Sequence, residues 1–214
     1  MKALLELKQM YYLTLFMLFY AIISVIHNHI FVSETLLSQW YEGILTQTQI
    51  QEAISFSKKW EWGIVALNIL LILIRMGCVT ACLYLGLFFF SNQNNIYKIS
   101  VNVALKAEII FVVYCIVRLF WYKFIYMPES AEEMQVMPLS LMVFFDPLSI
   151  EPWLIYPLNT LNIFEVLYFF LLAGLTTVAV KIKFRKAFEL VFVSYGAGLL
   201  LLMVAQMFLI LNNS

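Results

Sequence analysis

Five long apolar stretches divide this chain, and they constrain its fold more than any other feature of the sequence. A helix needs about 20 mostly apolar residues to cross the hydrocarbon of a bilayer. Hydrophobic residues make up 64% of the chain and charged residues 12%, too few polar groups to cover a soluble fold of this size. We therefore predict an all-α polytopic membrane helix bundle that forms a single domain over residues 1–214. The predicted spans are Met10–Val32, Gly63–Phe90, Ala104–Tyr126, Asn162–Val180 and Phe188–Leu211.

The lysines and arginines between these stretches predict the orientation of the chain. Short connections on the cytoplasmic side of a membrane carry an excess of these residues. The turn between the fourth and fifth spans contains Lys181, Lys183, Arg185 and Lys186. All five tryptophans and most of the acidic residues fall at the opposite side. We therefore expect the N-terminus in the cytoplasm and the C-terminus outside.

The first outer connection, Ser33–Trp62, has the pattern of two helices. In its first half, apolar residues recur at the spacing of one helix face. In its second half, Thr48–Gln51 has the form of a capping box, which predicts a helix that leads into the second span. An apolar stripe outside the bilayer packs on the protein's own spans, lies in the membrane interface or covers a partner. The partner-contact residues predicted on this stripe are Leu36, Trp40, Tyr41 and Ile44.

The second outer connection, Met127–Leu161, contains all five prolines of the chain. Proline denies this stretch a long helix, so it is too broken to span the membrane. Its apolar part must lie in the interface, in a re-entrant dip or against another protein, or else form a lid over the protein's own outer face. The partner-contact residues predicted here are Phe144, Phe145 and Trp153.

Charged and polar residues within the spans predict a polar cluster in the outer leaflet. Counting about 1.5 Å per residue places Glu165, Asn68 and Gln206 at the depth of Arg118. We predict that these four residues form the cluster, with Arg118 and Glu165 as its ion pair. Arg75 lies near the middle of the second span, where an arginine costs about 2.5–3.5 kcal/mol on insertion scales. With no acid at its depth, Arg75 is predicted to be an unpaired intramembrane charge.

A second cluster, of Lys106, Glu108 and Glu189, is expected near the inner face beside the basic turn. Three interpretations of these charges stay open: they fix how the helices meet, they line a proton or ion path, or they dock a partner span. Small residues at four-residue spacing also favour close helix contact. These pairs are Gly77 and Ala81, Ala173 and Thr177, and Ser194 and Gly198.

The sequence offers little that would hold a metal or perform catalysis. His27 and His29 are two residues apart, so on a helix they point to different faces. Cys78 and Cys82 share a helix face, but no further ligands stand near them in sequence. No phosphate-binding loop, zinc-protease motif or nucleophile elbow is found. We expect no metal, no cofactor, no catalytic residue and no nucleic-acid partner.

The fourth span and the turn after it resemble a known family. Residues Leu161-Asn162-Ile163-Phe164-Glu165, then Gly174-Leu175, then the basic turn that closes on Lys186-Ala187, resemble the bacterial branch of the Yip domain family. The resemblance covers roughly residues 158–211. It implies a five-span protein with a cytoplasmic N-terminus that works through contacts with membrane proteins or lipid. The Tyr-Gly-Pro motif of the eukaryotic members is missing, so binding of small GTPases is not inferred.

The leading functional hypothesis is a non-enzymatic accessory or scaffold subunit of a larger assembly in a bacterial inner membrane. It rests on the missing catalytic groups, the two apolar outer connections and the unpaired Arg75. One alternative is a small transporter or channel in which Arg75 and the Arg118–Glu165 cluster line a path. Another is a lipid-binding or lipid-modifying protein that uses the outer cluster.

Overall fold

A computed structural model gives the architecture of the chain over residues 9–31, 46–91, 93–126 and 133–213. These residues form helices and short connections without any β-strand, apart from one isolated bridge between Ser140 and Asn162. The predicted all-α fold is therefore confirmed. Three helical stretches are long and apolar enough to cross a membrane, in agreement with an integral membrane protein: Glu61–Phe90, Ile163–Val180 and Phe184–Asn212.

The helices are numbered in chain order within the described ranges. They are α1 (Gln9–Phe31), α2 (Gln47–Lys59), α3 (Glu61–Phe90), α4 (Ile96–Ala107), α5 (Ile109–Phe124), α6 (Pro152–Thr160), α7 (Ile163–Val180), α8 (Phe184–Val191) and α9 (Ala197–Asn213). A π-helical segment, Phe192–Gly196, joins α8 to α9 without interrupting the helix. Short 3-10 turns lie at Glu133–Gln135 and Leu141–Phe144.

The third predicted span differs from expectation in its start and in its continuity. The helix begins at Ile96 rather than at Ala104. Lys98, Ser100 and Asn102 interrupt the apolar pattern of its first two turns, so the sequence pattern missed these turns. The three residues do not break the helix. It then breaks at Glu108, which separates α4 (12 residues) from α5 (16 residues). Neither half is long enough to cross a bilayer alone.

The fifth predicted span also begins earlier than expected. The residue Lys181, with φ of 59°, ends α7 in the left-handed conformation, and α8 begins at Phe184 instead of Phe188. The basic turn is therefore shorter than the sequence pattern indicated. Its shortness brings the inner halves of α7 and α8 side by side.

The inner halves of α3, α4, α7 and α8 form the tightest part of the core. Leu83 and Leu172 are fully buried, and Leu87 and Val103 are each 1% exposed. On one side α3 approaches the π-helical segment so closely that a Cβ added at Gly86 would lie 2.8 Å from the Ser194 Cβ. This packing closes the bundle on its predicted cytoplasmic side.

The first outer connection contains the second of its two predicted helices. Thr46 caps α2, and its side chain and the Gln49 side chain form a capping box with the backbone of α2's first turn. The helix therefore begins two residues earlier than the predicted box at Thr48–Gln51. Ile50 and Ile54 are buried, while most of their neighbours on α2 are exposed. The other predicted helix, with its apolar stripe, lies outside the described residues.

The second outer connection has no long helix over residues 133–161, as its prolines predicted. Its longest element is α6, which begins at Pro152 and contains Pro157. Backbone hydrogen bonds from Leu141 N–H to the Leu161 carbonyl (3.0 Å) and from Ile163 N–H to the Leu139 carbonyl (3.2 Å) fix the connection to the start of α7. Since α6 also packs on α9, the connection is an integral part of the bundle.

Candidate functional site

A buried charge network joins α3, the α4–α5 junction, α7 and the π-helical segment. Its first member is an ion pair, in which Arg75 Nη2 donates to Glu108 Oε2 at 2.9 Å. The arginine side chain is 36% exposed and the glutamate side chain 1% exposed. The guanidinium carbon also lies 3.3 Å from the centre of the Phe111 ring, a cation–π contact that adds to the pairing.

The prediction that Arg75 is unpaired is therefore wrong. The apolar pattern placed the start of the third span at Ala104 and put Glu108 near the inner face. With α4 starting at Ile96, Glu108 lies about 18 Å from the inner end of its helix, and Arg75 lies about 22 Å from the inner end of α3. The two residues are at similar depth because the real helix boundary is two turns earlier.

Tyr168 on α7 completes the surroundings of Glu108. Its hydroxyl donates to Glu108 Oε1 at 2.9 Å, so both carboxylate oxygens of Glu108 accept a hydrogen bond. The Tyr168 side chain is fully buried. Its ring meets the Phe111 ring edge-on at 4.9 Å and the Tyr195 ring edge-on at 5.4 Å. These contacts link the ion pair to a second carboxylate.

That second carboxylate is Glu165, in the first turn of α7. It accepts a hydrogen bond from the Tyr195 hydroxyl at 2.5 Å. Tyr195 lies in the π-helical segment. The N-cap of α7 is Asn162, and its side chain accepts a hydrogen bond from the Glu165 backbone N–H at 2.8 Å. Two members of the network thus lie at irregular backbone: Tyr195 in the π-helical segment and Glu108 at the helix break. Such irregularities are frequent at functional sites.

The predicted Arg118–Glu165 ion pair is wrong. Arg118 donates to the backbone carbonyl of Met134 at 3.2 Å, whereas Glu165 is bound by Tyr195. Depth alone suggested the pair, but depth does not say which way each side chain faces around its helix. Arg118 faces the outer connection, and Glu165 faces the bundle interior.

The other members of the predicted outer cluster are also apart. Asn68 donates to the Ser24 hydroxyl at 3.2 Å, which joins α3 to α1. Gln206 is half-buried on α9 and has no hydrogen bond to Arg118, Glu165 or Asn68 within the described ranges. The predicted cluster of four does not form, because its members face different neighbours.

The predicted inner-face cluster does not form either. Glu108 is bound to Arg75, and Glu189 pairs with Arg185 at 3.0 Å on the exposed surface. Lys106 is fully buried, and its Nζ has no hydrogen-bond partner among the described residues. The three residues were grouped by their distance from the basic turn, and the earlier start of α4 moves Lys106 and Glu108 away from that turn.

A chain of buried polar groups connects the outer connection to the first turn of α7. Asn162 Nδ2 donates to the Asn159 carbonyl at 2.8 Å. The Asn159 side chain in turn accepts from Met137 N–H at 2.8 Å and from the Ser140 hydroxyl at 3.3 Å. The exposed fractions of Asn162, Asn159 and Ser140 are 8%, 6% and 3%. Sequence reasoning missed this chain, although an Asn three residues before a Glu at the start of an apolar run is a helix N-terminal signal.

The outer connection also presents an apolar surface. Phe144 is 81% exposed and Phe145 50% exposed, whereas Trp153 is half-buried on α6. Beside Phe144 is a groove of about 460 Å³ lined by Trp121, Leu139, Leu141 and other apolar residues. Two of the three contact residues predicted here are thus well exposed. The contact residues predicted in the first connection, Leu36, Trp40, Tyr41 and Ile44, lie outside the described residues.

The chemistry available in the network is that of two carboxylates, one guanidinium and two phenols. These groups hold charge, exchange protons and fix helices against one another. No group of three or more His, Cys, Asp or Glu that could hold a metal ion is found in the part of the chain that the structure describes. Comparisons of the chain with protein-family models, with curated proteins and with solved structures gave no match.

Proposed function

We propose that the chain is a five-span protein of a bacterial inner membrane, with its N-terminus in the cytoplasm and its C-terminus outside. In this arrangement α1 is the first span, and α4 and α5 together form the third, broken at Glu108. A break within a span is tolerated where neighbouring helices bury it, and Glu108 is fully buried among them. The proposed order and orientation agree with the resemblance to the bacterial Yip branch.

Reporter fusions test the proposed topology. A reporter that is active only outside the cytoplasm is fused after Ser91, Tyr126, Lys181 and Asn213, and a cytoplasmic fluorescent reporter is fused at the same points. The five-span arrangement predicts outside activity at Tyr126 and Asn213 and fluorescence at Ser91 and Lys181. Outside activity at Ser91 or cytoplasmic fluorescence at Asn213 would contradict it.

Within this topology we propose that the chain is a non-enzymatic accessory subunit that binds another integral membrane protein through its outer face. The observation that carries the proposal is the second outer connection, where Phe144 is 81% and Leu148 74% exposed. This segment is held in place by backbone bonds to Leu161 and Ile163. An ordered apolar surface rich in aromatic side chains is typical of a protein contact.

The charge network does not add to the case for an accessory subunit. Arg75 satisfies its charge within the bundle, through Glu108 and the Phe111 ring, and so does not require a partner. Arg75 therefore no longer supports the hypothesis of an accessory subunit, and the outer connection is the surface that remains for binding a partner.

Purification from native membranes tests this proposal. We expect the tagged wild-type chain to be recovered with a stoichiometric membrane-protein partner and a native mass to match. The double variant F144S/L148S should lose the partner at least tenfold. The matched control is F89S, since Phe89 is also 73% exposed but lies at the inner end of α3. A wild-type chain that runs alone at its own mass, or partner loss in F89S equal to that in F144S/L148S, would contradict the proposal.

A second candidate function is transport. The observation that favours it is that the network lies where two helices are irregular, at Glu108 and at the π-helical segment around Tyr195. Broken helices that carry charged groups are a feature of transporter binding sites. Proteoliposomes that contain the wild-type chain should then show a cation or proton flux that R75L abolishes. Wild-type vesicles without flux would exclude this candidate.

A further inference from the structure

The charges of the buried network do not balance. Glu108 is neutralised by Arg75, and the other ion pair among the described residues, Arg185–Glu189, lies on the surface. Glu165 is 9% exposed and forms no ion pair with a described cation. Arg118, the cation that the sequence pattern paired with Glu165, is bound to the Met134 carbonyl instead. Lys106, the other buried cation, forms no ion pair with Glu165 either. Glu165 is therefore the acid of this network that no described cation pairs with, and a bound proton would remove the cost of its charge.

The surroundings of Glu165 are polar toward the outside. Glu165 is in the first turn of α7, and the Asn162 side chain that accepts its N–H continues through Asn159 and Ser140 to the outer connection. These polar groups are buried where α6 meets the first turn of α7, which is the outer end of α7 in the proposed topology. They supply hydrogen-bonding groups along the direction in which water would approach.

Toward the predicted cytoplasmic side, the helices beyond Glu165 pack mainly apolar side chains against one another. Leu172 and Leu175 on α7 and Leu83 on α3 are all fully buried, and Val191 on α8 is as well. The close approach of Gly86 to Ser194 seals the same region between α3 and the π-helical segment. The buried polar side chains on this side, Ser100, Lys106 and Thr176, have no hydrogen-bond partner among the described residues. No hydrogen-bonded chain therefore leads from Glu165 in this direction, and access to Glu165 is one-sided.

We propose that Glu165 is a proton-binding site that exchanges its proton with the outer side of the membrane. The proton is taken from water on the outer side by a Glu165 carboxylate oxygen and is returned to the same side. The proposal goes beyond the function of an accessory subunit and rests only on the proposed topology, in which the N-terminus of α7 lies at the outer side. The charged and titratable described residues that face Glu165 directly or act on it electrostatically are Tyr195 from the π-helical segment, Tyr156 from α6, Arg75 from α3 and Glu108 from the α4–α5 junction.

Tyr195 is the group that would transmit the protonation state. Its hydroxyl donates to Glu165, its ring meets Tyr168, and Tyr168 donates to Glu108. A neutral Glu165 attracts the Tyr195 hydroxyl less strongly than an ionised one, because hydrogen bonds to charged acceptors are stronger. Protonation from outside is thus coupled to the π-helical segment and through it to the packing of α3 against α8.

Infrared difference spectroscopy of the full chain in proteoliposomes tests the proposal. The vesicles are sorted to one orientation, confirmed by protease digestion, and the spectrum is recorded while only the outer pH is changed. We expect a carboxyl C=O band that the E165Q variant loses and that the E189Q variant keeps, since Glu189 is an exposed surface acid. A band that persists in E165Q, or that responds to the inner pH and not to the outer pH, would overturn the proposal.

A second variant keeps the proposal testable where E165Q fails to fold. Y195F retains the ring contacts with Tyr168 and Phe169 and removes only the hydroxyl. We expect the carboxyl band of this variant to shift in frequency, because the hydrogen bond to Glu165 is gone. An unchanged band would mean that the titrating carboxyl is not Glu165. Neither result depends on whether a partner protein binds at Phe144, so the two proposals fail separately.

Discussion

Arg75 and Glu108 form an ion pair of 2.9 Å in which the two side chains are buried to different extents. The Glu108 side chain is 1% exposed and the Arg75 side chain 36% exposed. A carboxylate in this position depends entirely on its protein partners, whereas about a third of the Arg75 side chain is exposed outside the bundle. The two halves of the pair should therefore respond differently to substitution.

We predict that R75L destabilises the fold more than E108Q does. R75L leaves a buried carboxylate with Tyr168 as its remaining donor, and removing one partner of a buried pair costs about 3–5 kcal/mol. E108Q keeps an acceptor for Tyr168 and leaves an arginine that is partly accessible. The measurement is the thermal unfolding midpoint in detergent, followed by circular dichroism.

The control for this prediction is the surface pair Arg185–Glu189, whose side chains are 91% and 59% exposed. The variant E189Q should change the free energy of unfolding by less than about 0.5 kcal/mol, because exposed pairs are screened by solvent. Equal losses in R75L and E189Q would show that Glu108 does not rely on Arg75.

We predict that Y168F lowers stability although it leaves the aromatic packing intact. The rings of Phe111 and Tyr195 still contact the substituted ring, at 4.9 and 5.4 Å in the wild type. The loss is the hydrogen bond to Glu108, and a bond to a charged group contributes about 1.5–3 kcal/mol. The matched control is Y97F, at a tyrosine that is 68% exposed, where the change should stay within about 0.5 kcal/mol. Equal unfolding midpoints for Y168F and Y97F would rule out a stabilising role for the Tyr168 hydroxyl.

The sequence predicted the helical class and the separate apolar segments, because these follow from hydropathy over long windows. The sequence did not predict the Arg75–Glu108 pair, because polar residues lower the hydropathy of the first two turns of α4 and the predicted span began after them. Once that boundary is wrong by two turns, every estimate of depth along the third span is wrong by about 12 Å. Lys106 and Glu108 were misplaced together for this one reason.

The errors in predicting which neighbours a side chain faces have a different origin. Arg118 and Glu165 were paired by depth, but the direction of each side chain depends on which neighbours its helix contacts. The same holds for the small residues. Spacing singled out Gly77, which has open space beside it, as well as Gly198, where an added Cβ would lie 2.5 Å from the Cys82 Sγ. Spacing identifies a face that allows close approach, and only the fold selects which faces meet.

We predict that T176V is neutral or stabilising. Thr176 is 1% exposed, and its hydroxyl has no hydrogen-bond partner within the described ranges. Valine has nearly the same shape and removes a buried polar group that costs about 1–3 kcal/mol when unsatisfied. The neighbouring T177V is the comparison, since the Thr177 hydroxyl donates to the Ala173 carbonyl at 2.8 Å. Unfolding midpoints in detergent should therefore rank T176V above T177V. The reverse order would mean that the Thr176 hydroxyl has a partner in the membrane.

The close packing of α3 against the π-helical segment predicts opposite effects for two glycine substitutions on one helix. In G86A the new Cβ would lie 2.8 Å from the Ser194 Cβ, an atom that moves only with its backbone. Overpacking of this kind costs about 1–3 kcal/mol. In G77A nothing lies within 4 Å of the new Cβ, so the higher helix propensity of alanine should raise stability by up to about 1 kcal/mol. Both variants are compared by thermal unfolding in the same detergent.

A second substitution shows whether the clash itself is the cause. S194G removes the Cβ that the alanine at position 86 would meet, so G86A/S194G should recover most of the stability that G86A loses. The recovery is expected to be incomplete, because Leu190 Cδ2 also lies 3.0 Å from the added Cβ and because glycine within a helix costs about 1 kcal/mol. If S194G gives no recovery, the loss in G86A arises elsewhere, and the inner seal between α3 and the π-helical segment is not held by this contact.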